Sequence, residues 1–204
     1  MFADECYEAI TFGVPHVSAA TFDIDGRVLT FFSISKAYAM TGWCLGYVHA
    51  RDPQMQALLG QLADTTVACP SSGSQRAGLA ALVGPQVAVA DAVASYHERR
   101  DAAVRLLGAR KVPCVRPDGA FYLMVDVSTA TRDSAAFAVR LLAQRRVAVS
   151  PGSAFGAGAG GMVRVPLASR RSGLLGGLER LAELVQGWRG TSDELGGANA
   201  TVMG

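Results

Sequence analysis

Only two of the nineteen basic side chains are lysines, Lys36 and Lys111, so chemistry that needs a side-chain primary amine has two candidates. Lys36 follows the run RVLTFFSI (residues 27–34), rich in β-branched and aromatic residues, and therefore sits just past the end of an expected buried strand. Ser33 stands three residues before it, Asp4 and Tyr7 are three apart near the start, and Arg164 is centred in the late run MVRVPL. A lysine amine can act as nucleophile or proton acceptor, and a guanidinium offers a planar fork to a carboxylate. Taken singly, each residue also has a plain reading. Asp4 fits a helix cap, Tyr7 a core ring with its hydroxyl at the surface, Lys36 a solvated turn, and Arg164 a partner for any carboxylate. Lys111 reads as a solvated surface charge.

These residues must be positioned by two unlike stretches of chain. Residues 1–10 read as a start in mid-element, and the run at 43–48 follows Gly42 closely enough to be a strand adjacent to 27–34. Asp52-Pro53 supplies an N-cap with proline at the first helical position, and Met55, Leu58, Leu59 and Leu62 recur at helical spacing. A short Ala/Leu helix ends near Val83. A longer helix runs from Gln86 to Leu107, with Val89, Val93, Tyr96, Val104 and Leu107 on one face and Gly108 as the expected C-cap. After Gly108 the pattern changes to strand, turn at Pro117-Asp118-Gly119, strand, helix from about Ser134 to Arg145, strand VAVS, glycine-rich loop, strand MVRVPL and a last helix bearing Leu174, Leu178, Leu181 and Val185. That is α+β organisation. Residues 189–204 are small, polar and aperiodic, and read as a disordered tail.

The 204 residues are half apolar and 18% charged, with a net charge of +2, which describes a folded chain and lacks the basic footprint of a nucleic-acid binder. No leader-like or membrane-spanning run is visible, so a soluble, cytoplasmic protein is expected, with no nucleic-acid or membrane partner. Cys6, Cys44, Cys69 and Cys114 form no CxxC pair, and His16, His49 and His97 show no ligand spacing, so neither a disulfide framework nor a metal site is expected. The segment GAGAGG (residues 156–161) matches G-x-G-x-x-G but leads into a strand instead of opening a helix. It therefore reads as a connector and not as a dinucleotide loop.

Together the motifs are more specific. SISKAYAMTGWCLGY (residues 33–47) closely resembles the pyridoxal-phosphate lysine signature of the class I/II aminotransferases, and ADECYE (residues 3–8) resembles the segment shortly before it. The likeness continues in family order through PDGAFYLMVDV (117–127), PGSAFG (151–156), VRVPLA (163–168) and GLERLAELV (177–185). The resemblance implies pyridoxal 5'-phosphate as cofactor, with Lys36 as the catalytic amine that bonds its aldehyde and moves the substrate Cα proton. It implies Asp4 beside the ring nitrogen, Tyr7 at the ring 3-oxygen, Ser33 at the phosphate, and Arg164 on the substrate α-carboxylate. It also implies the aspartate-aminotransferase-like α/β fold: residues 1–95 as the C-terminal part of the large domain, with its mostly parallel sheet, and residues 96–188 as the small α+β domain.

The sequence departs from the family in two places. Where the family has a phosphate-binding arginine eight residues after the lysine, this chain has Cys44, and losing a charge-assisted contact costs about 1.5 to 3 kcal/mol, roughly tenfold to a hundredfold in affinity. The likeness also covers only the family's C-terminal half, so the remaining sheet is expected to need a complementing N-terminal half. The expected activity is transamination between an L-amino acid and a 2-oxo acid, by a homodimer or a complemented chain. The competing expectations are a catalytically inactive remnant or interaction module, and a lyase using the same cofactor.

Overall fold

In a computed structural model, residues 1–188 are described; the expected tail at 189–204 lies outside them. The elements in order are β1 (Phe2–Asp4), β2 (Leu29–Ser33), α1 (Ile34–Ala37), β3 (Gly46–Ala50), α2 (Pro53–Thr66), α3 (Ser72–Val83), α4 (Val87–Ala109), β4 (Cys114–Val115), β5 (Tyr122–Asp126), α5 (Ser134–Arg145), β6 (Ser150–Pro151), β7 (Met162–Pro166) and α6 (Arg171–Gln186). The chain divides into two compact units. The first comprises Met1–Ser95 together with Asp118–Ala120, and the second Tyr96–Pro117 together with the rest of the described chain from Phe121.

The first unit is built on a three-stranded sheet in the order β1-β2-β3, with β1 parallel and β3 antiparallel to β2. Parallel pairing of β1 with β2 requires a long crossover. Residues 5–28 make it as a largely irregular segment containing one short 3-10 turn, Ala19–Phe22. The expected strand at 43–48 starts later, at Gly46, because Thr41–Trp43 form a 3-10 turn and Cys44 takes a left-handed conformation (φ 47°, ψ 50°) that interrupts extended backbone. Gly46 is required where it stands, since a Cβ there would lie 2.5 Å from the carbonyl oxygen of Phe32. Ile10, Phe12, Leu29, Ile34, Ala37 and Ala50 are buried. Asp52 caps α2 as expected, its carboxylate accepting from the Gln54 N–H at 2.9 Å. The apolar stripe of that helix nevertheless has no buried member, and Leu58 and Leu62 are 58% and 57% exposed.

The second unit carries an antiparallel sheet, β4-β5-β7-β6, whose inward residues Leu123, Val125, Val163 and Val165 pack with Phe137 and Leu141 of α5 and Leu174, Leu178 and Leu181 of α6. The strict burial alternation along β5 and β7 follows from the two-residue period of a half-buried strand. α4 passes through Gly108 and ends at Ala109, two residues later than expected. Its close is made by Lys111 in the left-handed region, with Val112 N–H donating to the Leu107 carbonyl at 2.9 Å. Arg100, 1% exposed, donates to the Pro117 carbonyl at 3.0 Å and to Asp101 Oδ1 at 2.9 Å, satisfying a buried charge. The glycine-rich connector follows the 3-10 turn Gly152–Phe155, contains a second, Ala157–Ala159, and leads into β7.

Candidate active site

Parallel strands place their carboxyl ends side by side, and ligands in open α/β sheets bind just beyond those ends. Asp4 closes β1 and pairs with Phe31, while Ser33 closes β2 two residues further on. The chain then turns into α1, where Ser33 Oγ accepts from the Ser35 N–H at 3.2 Å and Lys36 lies in the last turn. Thr41 Oγ1 donates to the Ser35 carbonyl at 3.2 Å and holds the following loop against this turn. The result is a cavity of about 460 Å³ with Phe31 and Phe32 in its wall and Asp4, Cys6, Ser33, Ser35, Lys36 and Thr41 as its polar lining. Asp4, Ser33 and Lys36, separated by up to 32 positions in sequence, are thus brought to one cavity.

The acid in this cavity has a local anchor. Asp4 Oδ1 accepts from the Cys6 N–H at 3.2 Å. Burial, together with the Asp4 carboxylate, pushes the Cys6 thiol up to about 11. It stays protonated at neutral pH, so it does not compete with the Lys36 amine as a nucleophile.

Tyr7 lines a neighbouring cavity of about 400 Å³, which also reaches Asp4 and includes Glu5, Glu8 and His16. There Glu5, 7% exposed, accepts from His16 Nε2 at 2.8 Å, Ser18 Oγ at 3.0 Å and the Ala19 N–H at 2.8 Å. Burial alone would raise its carboxyl, but the donors from His16, Ala19 and Ser18 outweigh it and hold Glu5 below its ordinary value. Burial raises Glu8, whose Oε2 has no hydrogen-bond partner among the described residues.

Arg164 belongs to the second unit. It is half-buried on the sheet face opposite Val163 and Val165, and among the described residues it makes no ion pair. Its Nε is shielded from solvent without an acceptor. Cys44 does not line the cavity of Lys36: it is exposed, and its Sγ lies 3.7 Å from the Thr41 carbonyl oxygen.

Sequence reasoning missed Cys6, Ser35 and Thr41 as lining residues. The signal for Cys6 was its position two residues after Asp4, where its N–H can turn back onto the carboxylate. Thr41 offered none, because its place depends on the 3-10 turn that it opens and on its bond to the Ser35 carbonyl. The donor set fits the cofactor that the motifs imply: an amine for an aldehyde, a carboxylate for a basic ring nitrogen, and hydroxyls for phosphate oxygens.

Comparison with known proteins supports the same grouping. A family profile described as "Aminotransferase class I and II" matches residues 1–178. An aspartate aminotransferase of Musicola paradisiaca is 35% identical over 188 residues, covering 89% of this chain and 46% of the relative. A probable N-acetyl-LL-diaminopimelate aminotransferase of Bacillus subtilis is 32% identical, with 89% and 46% covered. The crystal structure of an aromatic aminotransferase from Pyrococcus horikoshii superposes with a TM-score of 0.84 at 32% identity, covering 91% of this chain and 50% of that one. An aminotransferase from Mycobacterium tuberculosis gives 0.82 at 31% identity, with 91% and 48% covered. The chain spans about half the length of the curated relatives it matches. With its motifs, fold and profile in agreement over most of its length, the chain belongs to the class I and II aminotransferase family.

Proposed function

We propose that this chain carries the lysine-bearing portion of a pyridoxal-phosphate-dependent aminotransferase, which exchanges an amino group between an L-amino acid and a 2-oxo acid. The observation that carries the reading is the meeting of Lys36, Asp4 and Ser33 at the carboxyl ends of two parallel strands. Members of the family are generally pyridoxal-phosphate-dependent, and the bound cofactor supplies an aldehyde and an electron sink for Cα chemistry. Lys36 would hold that aldehyde through Nζ, Asp4 would face the ring nitrogen, Ser33 the phosphate, and Tyr7 the ring oxygen.

The remaining work falls to side chains of this chain. Lys36 Nζ, when not bonded, takes a proton at the substrate Cα and returns one. Asp4, kept in place by the Cys6 N–H, presents a negative charge that holds a ring-nitrogen proton. Arg164 grips the substrate α-carboxylate as a bidentate fork and so fixes the direction of the Cα–H bond. The substrate pair and a homodimeric or complemented assembly belong to this proposal.

An absorbance titration of the chain with pyridoxal phosphate beside Lys36→Ala tests it. A visible band in the parent that is lost in the variant supports the reading. No band in either protein, alone or with a complementing N-terminal half, overturns it.

A further inference from the structure

Arg164 sits opposite Met124 in the antiparallel register of β5 and β7, which puts Tyr122 on the same sheet face as its diagonal neighbour. The Arg164 guanidinium carbon lies 4.2 Å from the Tyr122 ring centroid and 4.1 Å from the ring centroid of Phe155. Both distances are well inside the range in which a ring quadrupole attracts a cation.

Phe155 is not there by accident of a loose loop. It ends the 3-10 turn Gly152–Phe155, whose Gly152 packs so closely on the connector that a Cβ would run into the carbonyls of Ala159 and Met162. The same turn is tied down by the Ser153 N–H, which donates at 3.1 Å to the buried Ser134 Oγ. Phe155 itself remains 47% exposed while its ring centroid lies 4.1 Å from the Arg164 guanidinium carbon.

We infer that Tyr122 and Phe155 are positioning residues that clamp Arg164 for a carboxylate. The inference rests on the reading of Arg164 as the substrate-carboxylate arginine. Two rings packed this close to the guanidinium favour a partner that meets its N–H edge, as a carboxylate does in a bidentate pair. The clamp also restricts the rotation of a long side chain before the ligand arrives, which lowers the entropy cost of binding. No acidic side chain competes for the fork among the described residues, and the shielded Nε keeps an unmet demand for an acceptor.

The test uses the full chain and pyruvate as a small 2-oxo acid probe, with binding followed by NMR at the arginine Nε–H signals. In the parent, the Arg164 Nε–H should show an upfield ring-current shift and should move on titration. Phe155→Leu keeps bulk but removes the ring: the ring-current shift should shrink and pyruvate should bind about threefold to tenfold more weakly. Phe155→Tyr should restore both. Unchanged pyruvate affinity in Phe155→Leu, with binding abolished in Arg164→Gln, overturns the clamp and leaves the carboxylate reading intact. Binding that survives Arg164→Gln, or no response in the parent, overturns the carboxylate reading and the clamp with it.

Discussion

The two units are held by different means. In the second, Leu123, Val125, Val127, Phe137, Leu141, Val163, Leu167 and Leu181 are fully buried in one continuous core between sheet and helices. In the first, α2 buries nothing and α3 buries only Ser74 and Gly78, while Leu79 and Val83 stand exposed. What fixes the first unit is to a large extent polar. Glu5 gathers three donors, Asp23 accepts from the Arg27 N–H at 2.8 Å, and Arg51 donates to the Asp23 carbonyl at 2.6 Å. The unit that carries Lys36 is therefore the one whose apolar surfaces are least covered. This accords with a chain that spans about half the length of its relatives.

The sharpest way to break this contrast is a matched pair of truncations. Leu181→Ala, in the middle of the second core, should destabilise that unit by about 2 to 5 kcal/mol through lost transfer energy and the cavity left behind. Leu62→Ala on α2 should cost no more than about 0.5 kcal/mol, since it is more than half exposed. Hydrogen exchange at the amides of α6 and α2 reads both. Comparable losses at the two sites would mean that α2 is buried in solution against something else, such as a second copy of the chain.

The same contrast marks what the amino-acid sequence made legible. Asp52 as a cap, the helix Ser134–Arg145, and the buried face of Leu174, Leu178 and Leu181 were readable because periodicity and capping are local properties. For α2 the apolar stripe was readable but its covering was not, because a stripe says which face is apolar and not whether a surface meets it. Within the site, Asp4, Ser33 and Lys36 were singled out by the resemblance of their motifs to a family, and the structure brings the three to one cavity. The aromatic neighbours of Arg164 were not, because the pairing of Tyr122 with Arg164 depends on strand register and that of Phe155 on a turn, and neither is written in spacing.

Within the first unit, the missing cation at the cavity can be supplied. No arginine lines the cavity of Lys36 among the described residues, and Cys44 points its thiol back at Thr41. Cys44→Arg should tighten retention of pyridoxal phosphate by roughly tenfold to a hundredfold, the value of one charge-assisted contact to a phosphate dianion. Equilibrium dialysis of the two proteins side by side measures it. Equal retention would show that the left-handed turn at residue 44 aims its side chain away from the phosphate, and that the weakness of this unit lies in its uncovered faces alone.

The smallest effect probes the polar anchors themselves. Glu5→Gln keeps the size of the side chain but replaces an acceptor oxygen with a donor facing His16 or Ser18, and should cost about 1 to 3 kcal/mol in the first unit. Its pH dependence has a definite sign. The folded state lowers the Glu5 carboxyl from its ordinary value of 4.5, so the ionised group contributes stability that is fully present above that ordinary value. The contribution then fades as pH falls through the lowered one. Glu8, raised by burial, works in the opposite direction, and comparing the parent with Glu5→Gln cancels it to first order. The gap between the two proteins in urea unfolding should therefore narrow in acid below about pH 4.5. A gap that is absent at neutral pH would mean that the crossover from β1 to β2 is held by Ile10 and Phe12 rather than by Glu5, and the first unit would then be a sparser version of the second.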